Sequence, residues 1–234
     1  MKILILTTDT YHHLFFTKEI KKKYKNISVI LEKKINRYSF SRNHNILYKI
    51  NKFEKKFFFK NKNENFLDKI EFNNVNDANC IKHIKQIKPD VIISFGIGLM
   101  KSKFLNNFRN LKIVNLHGGD LRHYRGLDSH MWSIYHNDFE SLITTLHYVQ
   151  KKIDSGNIIF TKKILINNKT KFTSIRALNT INCVQIVVKF LKHVELRKKI
   201  KTINNYSLGR YYSAIPSVLI DRCIKNYQRY IKKI

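Results

Sequence analysis

The sequence predicts an α/β fold in which a mostly parallel sheet is flanked by helices. Short apolar runs recur along the chain and alternate with amphipathic stretches of helical period. The run at residues 91–95, VIISF, lies between Pro89 and Gly96, which is typical of a fully buried parallel strand. The chain also opens with an apolar run at residues 2–6, a polar turn and a helical stretch at residues 11–23. This order indicates a Rossmann-like arrangement.

The turn between the first strand and the first helix, residues 7–10, is polar. Asp9 or Thr10 can cap the helix. The turn has no Gly-x-Gly-x-x-Gly pattern, so a dinucleotide-binding fingerprint is absent. Thr8 and Asp9 are candidates for binding an anionic substrate group at the helix N-terminus, and a purely capping role is the equal alternative.

The remaining elements continue the same alternation. The sequence predicts strands at residues 27–31, 112–116, 142–149 and 157–166, the last two as a hairpin, and helices at 78–88, 129–136 and 173–199. An amphipathic helix is expected within the basic, aromatic segment 33–66, a loop at 61–74, and a short helix or loop at 101–109. The tail is predicted to hold an extended piece that includes Tyr206, then a basic helix with Pro216 at its first position that ends at Ile231.

The 234-residue chain is long enough for one substantial domain with its own core. We expect that domain to span residues 1–203, followed by a C-terminal extension, residues 204–234, that could pair two subunits of a homodimer. The apolar runs are too short to cross a bilayer, and the N-terminus lacks the long apolar core of a signal peptide. The three cysteines are widely spaced, which fits a reducing cytoplasm and gives neither a disulfide framework nor a zinc pattern.

The net charge of +29 raises the question of a nucleic-acid partner. The lysines, however, are spread over the whole chain together with many Asn and Ile residues, a mixture that an AT-rich coding sequence produces whatever the function. We therefore favour compositional bias plus a general attraction of anionic substrates. A dedicated polyanion surface is the lesser alternative, so nucleic acid is not the expected partner.

A candidate site combines an amide, an imidazole and a carboxylate. Asn115 and His117 follow an apolar run and are two residues apart, so a strand would present both on one face. Asp154 lies in a polar break between two apolar runs and could return to that pair. Such a set contains no nucleophile and suits acyl transfer without a covalent intermediate: the amide and imidazole stabilise an oxyanion, and the carboxylate orients the imidazole or takes a proton.

Three short motifs carry a resemblance to a known family. They are Asn115-Leu116-His117-Gly118, Tyr124-Arg125-Gly126, and Thr145-Leu146-His147 followed seven residues after the His by Asp154-Ser155-Gly156. Their order and spacing resemble those of the folate-dependent formyltransferases. The chain departs from that pattern after the His, where Gly119-Asp120-Leu121-Arg122 replaces a Ser-Leu-Leu-Pro run, and at Thr144 and Ser129.

The resemblance implies a role for each motif. It implies that Asn115, His117 and Asp154 are catalytic, that N10-formyltetrahydrofolate is the co-substrate, and that no metal is needed. The folate pterin would be held by Phe95, Gly96, Ile97, Gly98, Leu99 and Met100. The acceptor substrate would be contacted by Thr8, Asp9, Gly118, Gly119, Arg125 and Gly126. Arg125 could bind a phosphate or carboxylate, or instead fix the loop by bonding to carbonyl groups.

The identity of the acceptor follows less directly from the resemblance. The loop at residues 115–126 and the Trp132-bearing helix look most like members that formylate nucleotide-linked amino sugars. We therefore expect a dTDP- or UDP-linked amino-dideoxy sugar of surface polysaccharide (O-antigen) biosynthesis. Methionyl-tRNA, glycinamide ribonucleotide and a hydrolase acting on formyl-folate are alternatives within the family. A non-enzymatic polyanion-binding module is the alternative outside it.

Overall fold

Seven strands form one mixed sheet in the computed structural model, which describes residues 1–33, 40, 42–65, 68–205 and 208–234. In the order in which they lie across the sheet, the strands are β3 (Lys69–Phe72), β2 (Ile27–Glu32), β1 (Ile3–Thr7), β4 (Val91–Phe95), β5 (Lys112–His117), β7 (Ile143–Tyr148) and β8 (Ile158–Lys163). The first five are parallel, and β7 and β8 are antiparallel to their neighbours. The predicted α/β fold with a mostly parallel sheet is confirmed.

Helices cover both faces of this sheet because the central strands are buried on both sides. The helices are α1 (Tyr11–Lys23), α2 (Asn45–Phe59), α3 (Ala78–Ile87), α4 (Ser102–Asn107), α5 (Ser129–Tyr135), α6 (Ile175–Glu195) and α7 (Ser217–Ile231). Apolar residues of α1 and α6 form the core on one face, and those of α3 and α4 form it on the other. The C-terminal α7 packs on α5 in a third cluster.

Two short strands lie outside the main sheet. β6 (Tyr124–Gly126) pairs in parallel with β9 (Arg210–Tyr212), so Gly126 lies opposite Tyr212. β9 belongs to the predicted C-terminal extension, and this pairing joins the extension to the loop that follows β5. Tyr206, which the sequence places in an extended piece, lies outside the described residues.

Two local predictions need correction. The loop predicted at residues 61–74 contains β3, an edge strand whose alternately charged and apolar residues give no continuous apolar run. Pro216 occupies the N-cap of α7 rather than its first helical position. Of the two residues that could cap α1, Thr10 is the N-cap, and its hydroxyl lies 3.1 Å from Nδ1 of His12 instead of bonding to the helix backbone.

A buried ion pair attaches α2 to the rest of the domain. Glu54 is 0% exposed, and its carboxylate accepts hydrogen bonds from Nε and Nη2 of Arg176 at 2.6 and 2.9 Å. Nδ1 of His12 lies 3.3 Å from Oε2 of Glu54. Burial alone would raise the pKa of Glu54, but His12 and Arg176 outweigh it and lower the pKa to about 2. Glu54 therefore ties α2 to α1 and to α6.

Replacing Glu54 by Gln should lower the free energy of unfolding at pH 7 by about 3 kcal/mol, because the fully buried carboxylate that pairs with Arg176 and His12 is lost. A carboxyl group with a lowered folded-state pKa stabilises the fold above its unfolded pKa and loses that effect in acid. The difference in unfolding free energy between wild type and variant should therefore shrink as the pH falls from about 4.5 to about 2. Urea unfolding at several pH values measures it.

The matched control is Glu140→Gln, which removes a carboxylate that pairs with Lys163 at the surface. This variant should have the same free energy of unfolding as wild type at every pH. An equal loss of stability in both variants, or a loss for Glu54→Gln that does not depend on pH, would contradict the assignment of a stabilising buried pair.

Candidate active site

Strand β5 presents Asn115 and His117 together at the carboxyl end of the sheet, where open parallel sheets bind ligands. Its neighbour β4 places Ser94 directly opposite Asn115. The hydroxyl of the buried Ser94 donates to Oδ1 of Asn115 at 2.7 Å. Because the amide oxygen is held in this way, the Asn115 NH2 group is directed into the site.

Asp154 reaches the same point from the loop between β7 and β8. Nδ2 of Asn115 donates to Oδ1 of Asp154 at 3.3 Å, and Nδ1 of His117 lies 3.4 Å from Oδ2. The backbone N–H of Gly126 donates to Oδ2 at 2.8 Å. Asp154 has a φ of +48°, a left-handed conformation that Asp tolerates better than most residues and that often marks a functional site. The three residues singled out from the sequence are thus in contact.

His147 is a fourth member of this cluster. Its Nε2 lies 3.1 Å from Nδ2 of Asn115 and 3.4 Å from Oδ1 of Asp154. Its Nδ1 lies 2.8 Å from the carbonyl oxygen of Tyr148. A carbonyl only accepts, so Nδ1 carries the proton in the neutral ring, and Nε2 accepts from the Asn115 amide. The sequence motif contains His147, but its role follows from the register that sets it opposite Asn115.

The electrostatics of the site separate the carboxylate from the imidazole. Burial alone would raise the pKa of Asp154, but His117, His147 and the Gly126 N–H hold it well below its usual range. Burial lowers the pKa of His117, although the Asp154 carboxylate acts in the opposite direction. At neutral pH the site therefore holds an ionised carboxylate beside a neutral imidazole.

The position of the proton on His117 follows from its contacts. Nε2 lies 2.9 Å from the carbonyl oxygen of Tyr124, so this nitrogen carries the proton and donates it. Nδ1 then faces the Asp154 carboxylate with its lone pair. If Nδ1 takes up a proton, the Asp154 carboxylate can accept a hydrogen bond from it. The pair of His117 and Asp154 is therefore arranged to receive a proton.

Two glycines in the motifs are required by close approaches. A Cβ at Gly156 would lie 1.7 Å from the carbonyl oxygen of Tyr148, which explains the glycine two residues after Asp154. Gly126 has a φ of +94°, and a Cβ there would lie 2.1 Å from the carbonyl oxygen of Tyr212. Both glycines let the chain pass close enough to hold the Asp154 loop in place.

Arg125 bonds to backbone carbonyl groups, which is the second of the two roles that the sequence left open. Its side chain is buried and donates to the carbonyl oxygens of Ile153, at 3.0 Å, and Gly209, at 2.6 Å. Arg125 therefore fixes the residue that precedes Asp154. The hydroxyl of Thr145 donates to the carbonyl of Gly119 at 2.7 Å and fixes the loop after His117 in a similar way.

The other predicted acceptor contacts are distributed around these loops. Gly118 borders His130 and Asn179: a Cβ at Gly118 would lie 3.5 Å from Nδ1 of His130 and 3.3 Å from Nδ2 of Asn179. Thr8 is buried with its hydroxyl 2.7 Å from Nδ1 of His13, whereas Asp9 is exposed at the turn before α1. Their contact with a substrate remains a prediction.

The loop predicted to hold the pterin follows β4, next to the end of β5. Its ends, Phe95 and Met100, are buried in the cores on opposite faces of the sheet, and its crest at residues 96–99 is largely exposed. The buried carboxylate of Glu32 accepts from the N–H of Gly98 at 2.5 Å and so fixes the crest. The loop is therefore held in place on the strand next to Asn115 and His117, as a donor-binding loop would need.

Two other findings bear on the chemistry. In the part of the chain that the structure describes, no group of three or more His, Cys, Asp or Glu residues is arranged to hold a metal ion, and no helix is long and apolar enough to cross a bilayer. A cleft of about 570 Å³ lies at the opposite end of the sheet, lined by residues that precede β4 and β5. Its place at the amino ends of parallel strands separates it from the catalytic cluster.

A cluster of amide, imidazole and ionised carboxylate at the carboxyl ends of these strands defines a group-transfer site that needs no protein nucleophile. Residues 1–182 match the model of the formyl transferase family. The chain belongs to that family. The resemblance noted from the three motifs is thereby confirmed.

Individual relatives are more distant. The chain is 32% identical over 108 residues to a methionyl-tRNA formyltransferase of Ureaplasma urealyticum, a match that covers 46% of this chain and 35% of that protein. Among solved structures, a 4-N formyltransferase from Francisella tularensis shares 18% identity with a TM-score of 0.60, covering 95% of this chain and 86% of that one.

A second solved structure, the formyltransferase PseJ from Anoxybacillus kamchatkensis, contains UDP-4,6-dideoxy-4-formamido-L-AltNAc and tetrahydrofolate. It shares 16% identity with a TM-score of 0.56, covering 91% of this chain and 86% of that one. At such identities the likeness shows the fold alone. The chain spans less than half of the length of the curated relatives that it matches.

Proposed function

We propose that the protein transfers the formyl group of N10-formyltetrahydrofolate to the amino group of a dTDP- or UDP-linked amino-dideoxy sugar. The observation that carries the transfer is the mutual contact of Asn115, His117 and Asp154. These residues supply an amide donor, an imidazole and an ionised carboxylate, which together can stabilise an oxyanion and move a proton. The loop at residues 95–100 follows β4, the strand next to β5, and its exposed crest would hold the folate.

The reaction removes one proton from the acceptor amine and adds one proton to N10 of the folate. The acceptor amine attacks the formyl carbon, and the carbonyl oxygen becomes an oxyanion that takes a hydrogen bond from the Asn115 amide, in place of the 3.3 Å bond from that amide to Asp154. The amine nitrogen loses a proton to His117 Nδ1, where Asp154 stabilises the imidazolium. The bond between the formyl carbon and N10 then breaks, and N10 takes the proton that His117 received from the amine. The products are a formamido sugar and tetrahydrofolate, and the enzyme returns to its first protonation state.

Two observations support a nucleotide-linked amino sugar as acceptor. The sugar formyltransferase of similar fold, PseJ, is known with a UDP-linked formamido sugar and tetrahydrofolate. The net charge of +29 would attract a nucleotide diphosphate and the glutamate tail of a folate. The buried, unpaired cysteines Cys80, Cys183 and Cys223 agree with the cytoplasmic location that we propose, where both substrates occur. Homodimer formation through residues 204–234 remains a prediction.

The direct test measures release of tetrahydrofolate from N10-formyltetrahydrofolate, with and without a panel of dTDP- and UDP-linked amino sugars. The proposal expects release that depends on one such sugar, and mass spectrometry should find one added formyl group on that sugar. Release without any amine would instead identify a formyl-folate hydrolase. Release only with methionyl-tRNA or glycinamide ribonucleotide would keep the transferase and replace the acceptor.

A further inference from the structure

The exposed crest of the loop that follows β4 is bonded to a buried carboxylate from another strand. Glu32 is the last residue of β2 and is only 8% exposed. Its Oε2 accepts a hydrogen bond from the N–H of Gly98 at 2.5 Å, and its Oε1 accepts one from the N–H of Val75 at 3.0 Å. A buried carboxylate needs such partners. Glu32 therefore joins the crest to the turn between β3 and α3.

The same turn directs a second side chain to the loop. Nδ2 of Asn76 donates to the carbonyl of Leu99 at 2.9 Å, and Oδ1 of Asn76 accepts from the N–H of Lys101 at 2.7 Å. Asn76 is itself held in place, because its backbone N–H and its Nδ2 both donate to Oδ1 of Asn74, at 2.8 and 2.7 Å. The side-chain amide of Asn76 thus bonds to the loop backbone with both a donor and an acceptor, as a neighbouring strand would.

The closest approach between Glu32 and the crest is at Gly98. A Cβ at this position would lie 3.2 Å from Oε2 of Glu32, closer than an ordinary van der Waals contact. Leu99, the next residue, keeps a side chain that is 46% exposed although its carbonyl is bonded to Asn76. The crest therefore combines a fixed backbone with an exposed apolar side chain, which is the arrangement of a binding surface that is formed before its ligand arrives.

We propose that Glu32 and Asn76 are positioning residues for the formyl donor. They hold the backbone of the crest in the conformation that receives the pterin of N10-formyltetrahydrofolate, and they act through the loop rather than by touching the reacting atoms. The loop is then ordered by folding and not by binding, which raises the affinity for the donor. This inference rests on the proposed function and adds the end of β2 and the turn before α3 to the donor site.

The first test measures binding of tetrahydrofolate to wild type, Asn76→Ala and Glu32→Gln by isothermal titration calorimetry. Each substitution should raise the Kd about tenfold, because the ligand must then order a loop that has lost hydrogen bonds. A Gln at position 32 can accept from one of the two N–H groups but turns an NH2 group toward the other. Asn76 lies half-buried in a surface turn. Asn76→Ala should therefore fold, and it decides the test alone if Glu32→Gln does not.

Steady-state kinetics give a second readout, which a general loss of structure would not reproduce. With the acceptor that supports formyl transfer, both variants should raise the KM for N10-formyltetrahydrofolate about tenfold and keep the kcat and the acceptor KM of wild type. This pattern is expected because the catalytic residues and the acceptor are bound by other loops. A lower kcat together with an unchanged donor KM would contradict a positioning role toward the donor.

Two matched controls remove the same chemical groups from other places. Asn167→Ala removes an Asn whose Oδ1 accepts from the N–H of Lys169 at 3.0 Å, in the turn between β8 and α6. Glu71→Gln removes a carboxylate of β3 that pairs with Lys69 at the surface. Both control variants should bind tetrahydrofolate with the Kd of wild type.

The outcomes separate a failure of this inference from a failure of the proposed function. If wild type binds tetrahydrofolate and the Asn76 and Glu32 variants bind it equally well, the inference alone is overturned. Weakening of the same size in the two controls would also overturn it, because the effect would then not depend on the loop. If wild type does not bind tetrahydrofolate, the proposed donor is wrong and the inference falls with it.

Discussion

Replacing Asn115 by Ala is expected to lower kcat by about two to three orders of magnitude, the usual effect of removing one oxyanion donor. Ser94 directs the amide of Asn115 into the site, where no other side-chain amide contacts the Asp154 carboxylate among the described residues. The KM values for both substrates should change little, because the lost interaction strengthens in the transition state. Rapid-quench kinetics at saturating substrate concentrations would measure the chemical step directly.

The matched control for this variant is Asn182→Ala. Asn182 is also a buried amide, but it donates to the carbonyl of Lys163 on β8 and has no contact with the catalytic residues. The Asn182→Ala variant should retain the wild-type kcat. A kcat for Asn115→Ala within a factor of about five of wild type would exclude Asn115 as the oxyanion donor.

Asp154→Asn is expected to reduce kcat by about three orders of magnitude. An amide of the same shape can still accept the Gly126 N–H, so the loop should keep its place, but it cannot stabilise an imidazolium at His117. The proton that leaves the amine would then have no charged partner. Pre-steady-state kinetics and binding of tetrahydrofolate should show normal donor binding together with slow transfer.

Asp120→Asn provides the comparison for loss of a carboxylate on a neighbouring loop. Asp120 is largely buried and pairs with Arg122, with Nε of Arg122 2.9 Å from its Oδ1, and it has no contact with Asp154. Its replacement should leave kcat close to the wild-type value. If both aspartate variants lost activity equally, a general electrostatic effect would explain the data better than proton transfer by Asp154.

The sequence is sufficient to predict the parallel core and the shared direction of Asn115 and His117 for clear physical reasons. Strands β1 and β4 are largely apolar runs because both of their faces are buried, and such runs are visible without any tertiary information. Asn115 and His117 are two residues apart on one strand, so their common direction follows from strand geometry alone. Only the return of Asp154 to this pair depended on the family resemblance.

The parts that the sequence could not supply depend on contacts between distant residues. The edge strand β3 has only four residues, too few for its alternation to stand out from a loop, and β6 and β9 have three residues each. The role of Glu54 depends on Arg176, which lies 122 residues further along the chain. His147 joins the cluster only because β7 runs antiparallel to β5 in one particular register. Neither relation leaves a local periodic signal.

The bond from Arg125 to Gly209 has a consequence for the time course of protein synthesis. Every strand of the main sheet lies before residue 164, so a growing chain contains all of these strands before Asn205 and Gly209 are added. The loop that carries Asp154 is held from the other side by Gly209 and by Asn205. A nascent chain can therefore form the sheet while the Asp154 loop is still unsupported, and this loop reaches its final position only after Gly209 has been translated.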